Sequence, residues 1–121
     1  MTKHPQQKRH KIGIEAESAA EALLKRHGYD VLNRRYRTPA GEIDIVARRN
    51  NHISFVEVKS RPSEAEAIWA ISPRQQRRIA GAADYWLQAY PDIGYETITF
   101  DAVLVTHGRN AQHLVDAFRP Y

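Results

Sequence analysis

The chain has 121 residues, 42% hydrophobic and 26% charged, with 18 Lys and Arg against 14 Asp and Glu for a net charge of +4. That length suits one domain with a real core, and the absence of cysteine excludes both a disulfide framework and a thiolate metal site. The basic excess favours polyanionic partners, nucleic acid first.

Residues 1–11 are polar and basic and read as a disordered arm, leaving 12–121 as a single domain. With no apolar core near the N-terminus and no bilayer-length apolar run anywhere, neither a signal peptide nor a membrane span is expected. A cytoplasmic location follows as an expectation. Ile12, Ala16, Ala19, Ala20, Leu23 and Leu24 recur at helical spacing, which predicts a helix over 12–27, closed by Gly28. Residues 29–37 read as a strand, and 38–41 (Thr-Pro-Ala-Gly) as a turn. Two further strands are predicted at 42–48 and 52–59, joined at Asn50-Asn51, which tolerates the positive φ of a hairpin.

Residues 60–71 contain Pro62 and no clear period, so a loop is expected. Ser72 as N-cap, Pro73 at the first helical position and Gln75 completing a capping box then open a second helix. Its apolar stripe is Ile79, Ala83, Trp86, Leu87 and Tyr90, and Pro91 ends it. Residues 97–105 form a fourth strand and 113–118 a short fifth. The class is α/β, with a mixed β-sheet flanked by helices.

A turn centred between Asn50 and Asn51 sets Asp44 opposite Glu57 and Glu42 opposite Lys59. One face then carries Ile43, Ile45, Val56 and Val58; the other carries Glu42, Asp44, Glu57 and Lys59 beside Val46 and Phe55. Two opposed carboxylates repel, and a hard divalent ion would offset the repulsion. Lys59 follows Glu57 by two residues, about 7 Å along the same face. Carboxylates, a metal and a lysine suit phosphodiester hydrolysis. Charges alternating on a strand more often mark a solvated face, however, with Glu42 and Lys59 a plain cross-strand ion pair.

Gly41-Glu42-Ile43-Asp44 followed by Phe55-Val56-Glu57-Val58-Lys59-Ser60-Arg61 resembles the YraN-like family of small bacterial proteins. That family is related to archaeal Holliday-junction resolvases and placed with the PD-(D/E)XK nucleases. Gly13 to Ala20, Gly28-Tyr29, Asn33 to Arg37, and Phe100-Asp101 with Val103 extend the resemblance over about residues 12 to 105. It implies a restriction-endonuclease-like core in the order α-β-β-β-α-β. It implies Asp44 and Glu57 as ligands of Mg²⁺ or Mn²⁺, Lys59 as the catalytic lysine, and Glu17 approaching the metal from the first helix. The activity implied is endonucleolytic hydrolysis of DNA, with branched or structured DNA as substrate. Resolvase-like cutting would need two active sites, hence a homodimer. The chain departs from the family in one place: Gln75 stands where a lysine is usual. The alternative is a nuclease-like fold that binds nucleic acid without cutting it, or that serves as an interaction subunit.

Other residues admit plainer readings. Glu17 lies beside the apolar stripe of the first helix, about 20° round from Leu24, where a boundary glutamate in a surface pair would also sit. Glu42 either tunes the site from outside or pairs structurally with Lys59. Arg74, Arg77 and Arg78 crowd a helix N-terminus, where they would grip a phosphate backbone or merely face solvent. Gln75 is accounted for as a cap. Trp69 is expected to anchor its loop, with base stacking as the other option. Trp86 and Tyr85 are expected in the core. His4, His10, His27, His52, His107 and His113 show no zinc spacing and are expected at the surface or in the tail.

Overall fold

The computed structural model describes residues 5–106 and 110–121, with side chains from residue 13 onward. The first helix, α1, spans Pro5–Arg26 and is followed by β1 (Asp30–Arg37), β2 (Glu42–Arg49) and β3 (His52–Ser60). Two helices come next, α2 (Glu64–Trp69) and α3 (Pro73–Ala89), then β4 (Thr97–Thr106) and β5 (Asn110–Phe118). The five strands lie side by side in chain order. Neighbours are antiparallel except β3 and β4, whose parallel pairing is allowed by the helical crossover between them.

Helices cover both faces, so the strands carry apolar residues in both directions. Under α1, Ala16, Ala20, Leu23 and Leu24 pack on Ile45, Ala47, Val56, Val103 and Val105. Under α3, Ile79, Ala83 and Trp86 pack on Val46, Ile53, Phe55, Phe100 and Leu104. Trp86 is fully buried and donates its indole N–H to Asn33 Oδ1 over 2.7 Å. The α3 helix also lies unusually close to the turn before β2. A Cβ on Gly81 would sit 2.8 Å from Ala40 Cβ, and one on Gly41 would sit 2.7 Å from the Arg78 carbonyl oxygen. Both glycines are therefore required by space, and they bring α3 against the start of β2.

The expected β2–β3 register is the observed one from Arg49↔His52 to Ile45↔Val56. At Asp44 it stops. Asp44 Oδ2 accepts the Val58 N–H at 2.8 Å, so a side chain takes the place of a ladder carbonyl. The expectation that Ile43 and Ile45 share a face is overturned at this point. Ile43 packs under α3 and Ile45 under α1. On the adjoining strand, Arg35 falls between the pairs Arg34↔Ile45 and Tyr36↔Ile43 and has φ +50°. The pleat thus takes a step at Arg35 and Asp44, while the β1–β2 register holds across it and shifts only between Val31 and Asn33.

Several other expectations are corrected. The first helix starts at Pro5, not Ile12, so residues 5–11 of the expected arm are helical; proline is well tolerated in a first turn. Residues 1–4, with His4, and residues 107–109, with His107, lie outside the described set, as does the side chain of His10. The expected loop at 60–71 contains α2, capped by Ser63, whose Oγ accepts the Glu66 N–H. Its Ser-x-x-Glu signature is present in the sequence, but the helix has only six residues. Trp69 does not anchor this segment: it is 85% exposed, and buried Ala67 does the anchoring. Tyr85 is exposed as well. His113 is not a surface residue, because its ring lies 2.8 Å from Asp101 Oδ2 in a buried pair. Among the described residues, no helix is long and apolar enough to cross a membrane.

Candidate active site

The step at Asp44 opens a cleft of about 420 Å³, lined by Gly13, Ala16 and Glu17 of α1, Asp44 of β2, and Glu57 to Arg61. A smaller cavity of about 220 Å³ on the other side of the same carboxylates adds Glu42, Gln75, Arg78 and Ile79. An apolar cavity of about 440 Å³ lies elsewhere, between Phe55, Leu87, Phe100, Phe118 and Tyr121. Its charged groups, Asp116 and Arg119, pair with each other, and it offers no convergent polar set for chemistry.

Asp44 and Glu57 come together in the cleft, near enough for the charge of Asp44 to act on the Glu57 carboxyl. Both are largely withdrawn from water. Burial, and then the charge of Asp44, pushes the Glu57 carboxyl up to about 8, against the partial opposition of Lys59. Burial also raises Asp44, opposed by the Val58 N–H and reinforced by the charge of Glu17. Two carboxylates this near cannot both stay ionised without a compensating cation. Lys59 supplies part of it, with Nζ 3.1 Å from Glu57 Oε1.

Gln75 is the residue whose place here the sequence did not disclose. Its backbone N–H is capped by Ser72 Oγ, as expected. Its side chain does not turn back to complete a capping box; Nε2 donates instead to Glu57 Oε1 at 2.8 Å. The only sequence signal was its position where the resembling family carries a lysine. Glu17 lines the cleft, and its Oε2 lies 2.9 Å from Arg35 Nε and 3.7 Å from Arg34 Nη2. Glu42 does not pair with Lys59. It reaches Arg37 at 3.6 Å, because Lys59 is engaged by Glu57. Of the three arginines on α3, all exposed, Arg78 lines the smaller cavity.

The donor set bears on which ion would fit. Among the described residues there is no cluster of three or more His, Asp or Glu able to hold a metal. Two hard oxygen donors are present, and both resist ionisation without a partner cation. This matches Mg²⁺ or Mn²⁺, which complete their shells with water and substrate oxygen; it does not match an all-protein zinc or calcium cage.

What emerges is an α/β fold with a five-stranded mixed sheet between helices, compatible with a nuclease-like core, and a paired-carboxylate and lysine cleft at a break in the sheet. Residues 16–105 match the sequence profile of the uncharacterised protein family UPF0102, and the chain belongs to that family. It is 51% identical over 108 residues to a UPF0102 protein of Bradyrhizobium diazoefficiens, covering 89% of this chain and 81% of that one. It is 53% identical over 106 residues to one of Rhodopseudomonas palustris strain HaA2, covering 88% and 83%.

Proposed function

We propose that the protein is a metal-dependent endonuclease of the YraN-like type, hydrolysing phosphodiester bonds in DNA with Mg²⁺ or Mn²⁺. The observation that carries this reading is that half-buried Asp44 and buried Glu57 line one cleft, with the Lys59 ammonium 3.1 Å from Glu57. A structural ion pair would not need the second carboxylate, which costs energy wherever no cation joins it. A divalent ion bound there would supply Lewis acidity toward a phosphate oxygen and a water of lowered pKa. Asp44 and Glu57 would hold it.

Lys59 is a cation whose value lies in the transition state, where negative charge builds on the phosphoryl oxygens. Asp44 is oriented by the Val58 N–H and Glu57 by the Gln75 amide, so neither depends on substrate for its placement. Arg61 at the mouth of the large cleft and Arg78 beside the small one are suited to flanking phosphates, with Arg74 and Arg77 continuing the positive face of α3. This positioning is sequence-independent, in keeping with a substrate chosen by structure.

The test is cleavage of linear, flapped and four-way DNA, with and without Mg²⁺ or Mn²⁺. Metal-dependent cutting of any of them that is lost in Glu57→Ala supports the reading. DNA binding without cutting under any metal would replace it with the binding-module reading, in which Lys59 serves only to neutralise Glu57 and Gln75 only to hydrogen-bond it.

A further inference from the structure

Arg34 and Arg35 are consecutive on β1, and on a regular strand their side chains would leave opposite faces of the sheet. Both nevertheless reach the same atom, Oε2 of Glu17 on α1. The backbone at Arg35 permits this. Its φ of +50° is left-handed, a conformation that glycine adopts freely and a residue with a Cβ resists. Strain of this kind persists only where the surroundings over-determine it, and it clusters at functional sites. Here it sits at the step where Asp44 leaves the ladder.

The two guanidiniums do more than neutralise Glu17. Arg34 is shared with Glu21, whose Oε2 lies 2.9 Å from its Nη1. Arg35 donates its Nε hydrogen to Glu17 alone among the described residues. Because both arginines use Oε2, Glu17 Oε1 has no protein hydrogen-bond partner among the described residues. The side chain is 13% exposed and lines the cleft of Asp44 and Glu57. Without a cation behind it, a third carboxylate would be repelled by those two.

We infer that Arg35 is a positioning residue. Its strained backbone sets the guanidinium on Glu17 Oε2, which holds Glu17 in the cleft with Oε1 free for a water of an ion held by Asp44 and Glu57. This rests on the metal-dependent reading above and adds to it the device that keeps Glu17 in place.

Arg35→Gly tests it, because glycine relieves the backbone while removing the guanidinium. The measurements are thermal unfolding of the metal-free protein and calorimetric Mn²⁺ binding, on wild type, Arg35→Gly, Arg35→Lys, Glu17→Gln and the Arg35→Gly/Glu17→Gln double variant. The expected result is a melting temperature for Arg35→Gly no lower than wild type, with Mn²⁺ affinity weakened about tenfold, the usual loss when an outer partner of a metal ligand is removed. Glu17→Gln should weaken it similarly, the double variant no further, and Arg35→Lys should recover part of the loss. The sign discriminates, since deleting a nearby cation would by simple electrostatics tighten Mn²⁺ binding. Unchanged or tighter Mn²⁺ binding in Arg35→Gly overturns the inference, as does a lowered melting temperature with unchanged affinity, which describes a structural ion pair. A wild type that binds no Mn²⁺ removes the metal-dependent reading and this inference together; a wild type that binds it beside an unaffected Arg35→Gly removes this inference alone.

Discussion

Gln75 and Glu57, eighteen positions apart, are joined by a 2.8 Å hydrogen bond from the amide Nε2 to the carboxyl Oε1, the same oxygen that Lys59 approaches. The start of α3 is therefore part of the candidate site as well as a helix terminus. It stays there because Gly41 and Gly81 let α3 lie against the turn before β2.

A lysine at this position would place a full charge where Gln75 offers a neutral donor. An opposite charge at hydrogen-bonding distance lowers a carboxyl pKa by about 1–3 units. Gln75→Lys should thus move the acid limb of metal-dependent cleavage to lower pH by about one unit. A pH–rate profile that superimposes on the wild type would show that Gln75 does not act on Glu57 in solution.

Lys59 and Asp44 should fail in different ways. Lys59→Ala is expected to lower the cleavage rate about 10²–10³-fold with little change in Mn²⁺ or DNA affinity, since a charged lysine is no metal ligand. Asp44→Asn keeps an oxygen for the Val58 N–H and so should fold, but it loses ligand charge and should bind Mn²⁺ more weakly. A Mn²⁺ titration of both variants checks this: excess metal should partly restore Asp44→Asn and not Lys59→Ala. Rescue of Lys59→Ala by Mn²⁺ would remove lysine from the chemistry.

Glu57 makes stability depend on pH. Its folded pKa, about 8, lies above the ordinary 4.5, so between these values the folded protein keeps a proton that the unfolded chain has released. Stability from this group is full below about pH 4.5 and falls as pH rises toward 8. Glu57→Gln should abolish that decline and melt higher than wild type at pH 8, by about 5 °C or more. Mg²⁺ should stabilise the wild type most at the same pH, because it takes the place of the proton. Parallel melting curves for the two proteins from pH 5 to 8 would contradict the burial that raises Glu57.

The arginines of α3 should act on the phosphate backbone. Replacing Arg74, Arg77 and Arg78 together by glutamine is expected to weaken DNA binding of any sequence. The slope of log affinity against log salt should fall by roughly one for each phosphate no longer engaged. Anisotropy titrations at several salt concentrations give that slope, and an unchanged value would place the DNA on another face.

A second buried pair was also concealed in the sequence. Burial alone would raise the Asp101 carboxyl, but hydrogen bonding, with the His113 ring and the Asp116 N–H among its partners, outweighs it and holds it low. His113 looked like a surface histidine because its partner is twelve residues away on the neighbouring strand, and no spacing rule links them.

The sequence by itself determined the five strands and the two long helices with their order, though not α2 or the start of α1, together with the β2–β3 register as far as Ile45↔Val56, the Ser72 cap and the apolar faces of α1 and α3. It also singled out Asp44, Glu57 and Lys59. These follow from local rules, since periodicity, caps and turn residues act over a few positions and leave a repeating trace. Tertiary structure alone decided what surrounds those three residues: Gln75 on Glu57, Arg35 on Glu17, and Glu42 with Arg37 instead of Lys59. The physical reason is the step in the sheet. Where Asp44 gives its side chain to the Val58 N–H and Arg35 turns to positive φ, the two-residue alternation of a strand no longer tells which way a side chain points. Each neighbour is then set by which helix packs overhead, a matter of residues far apart in the chain.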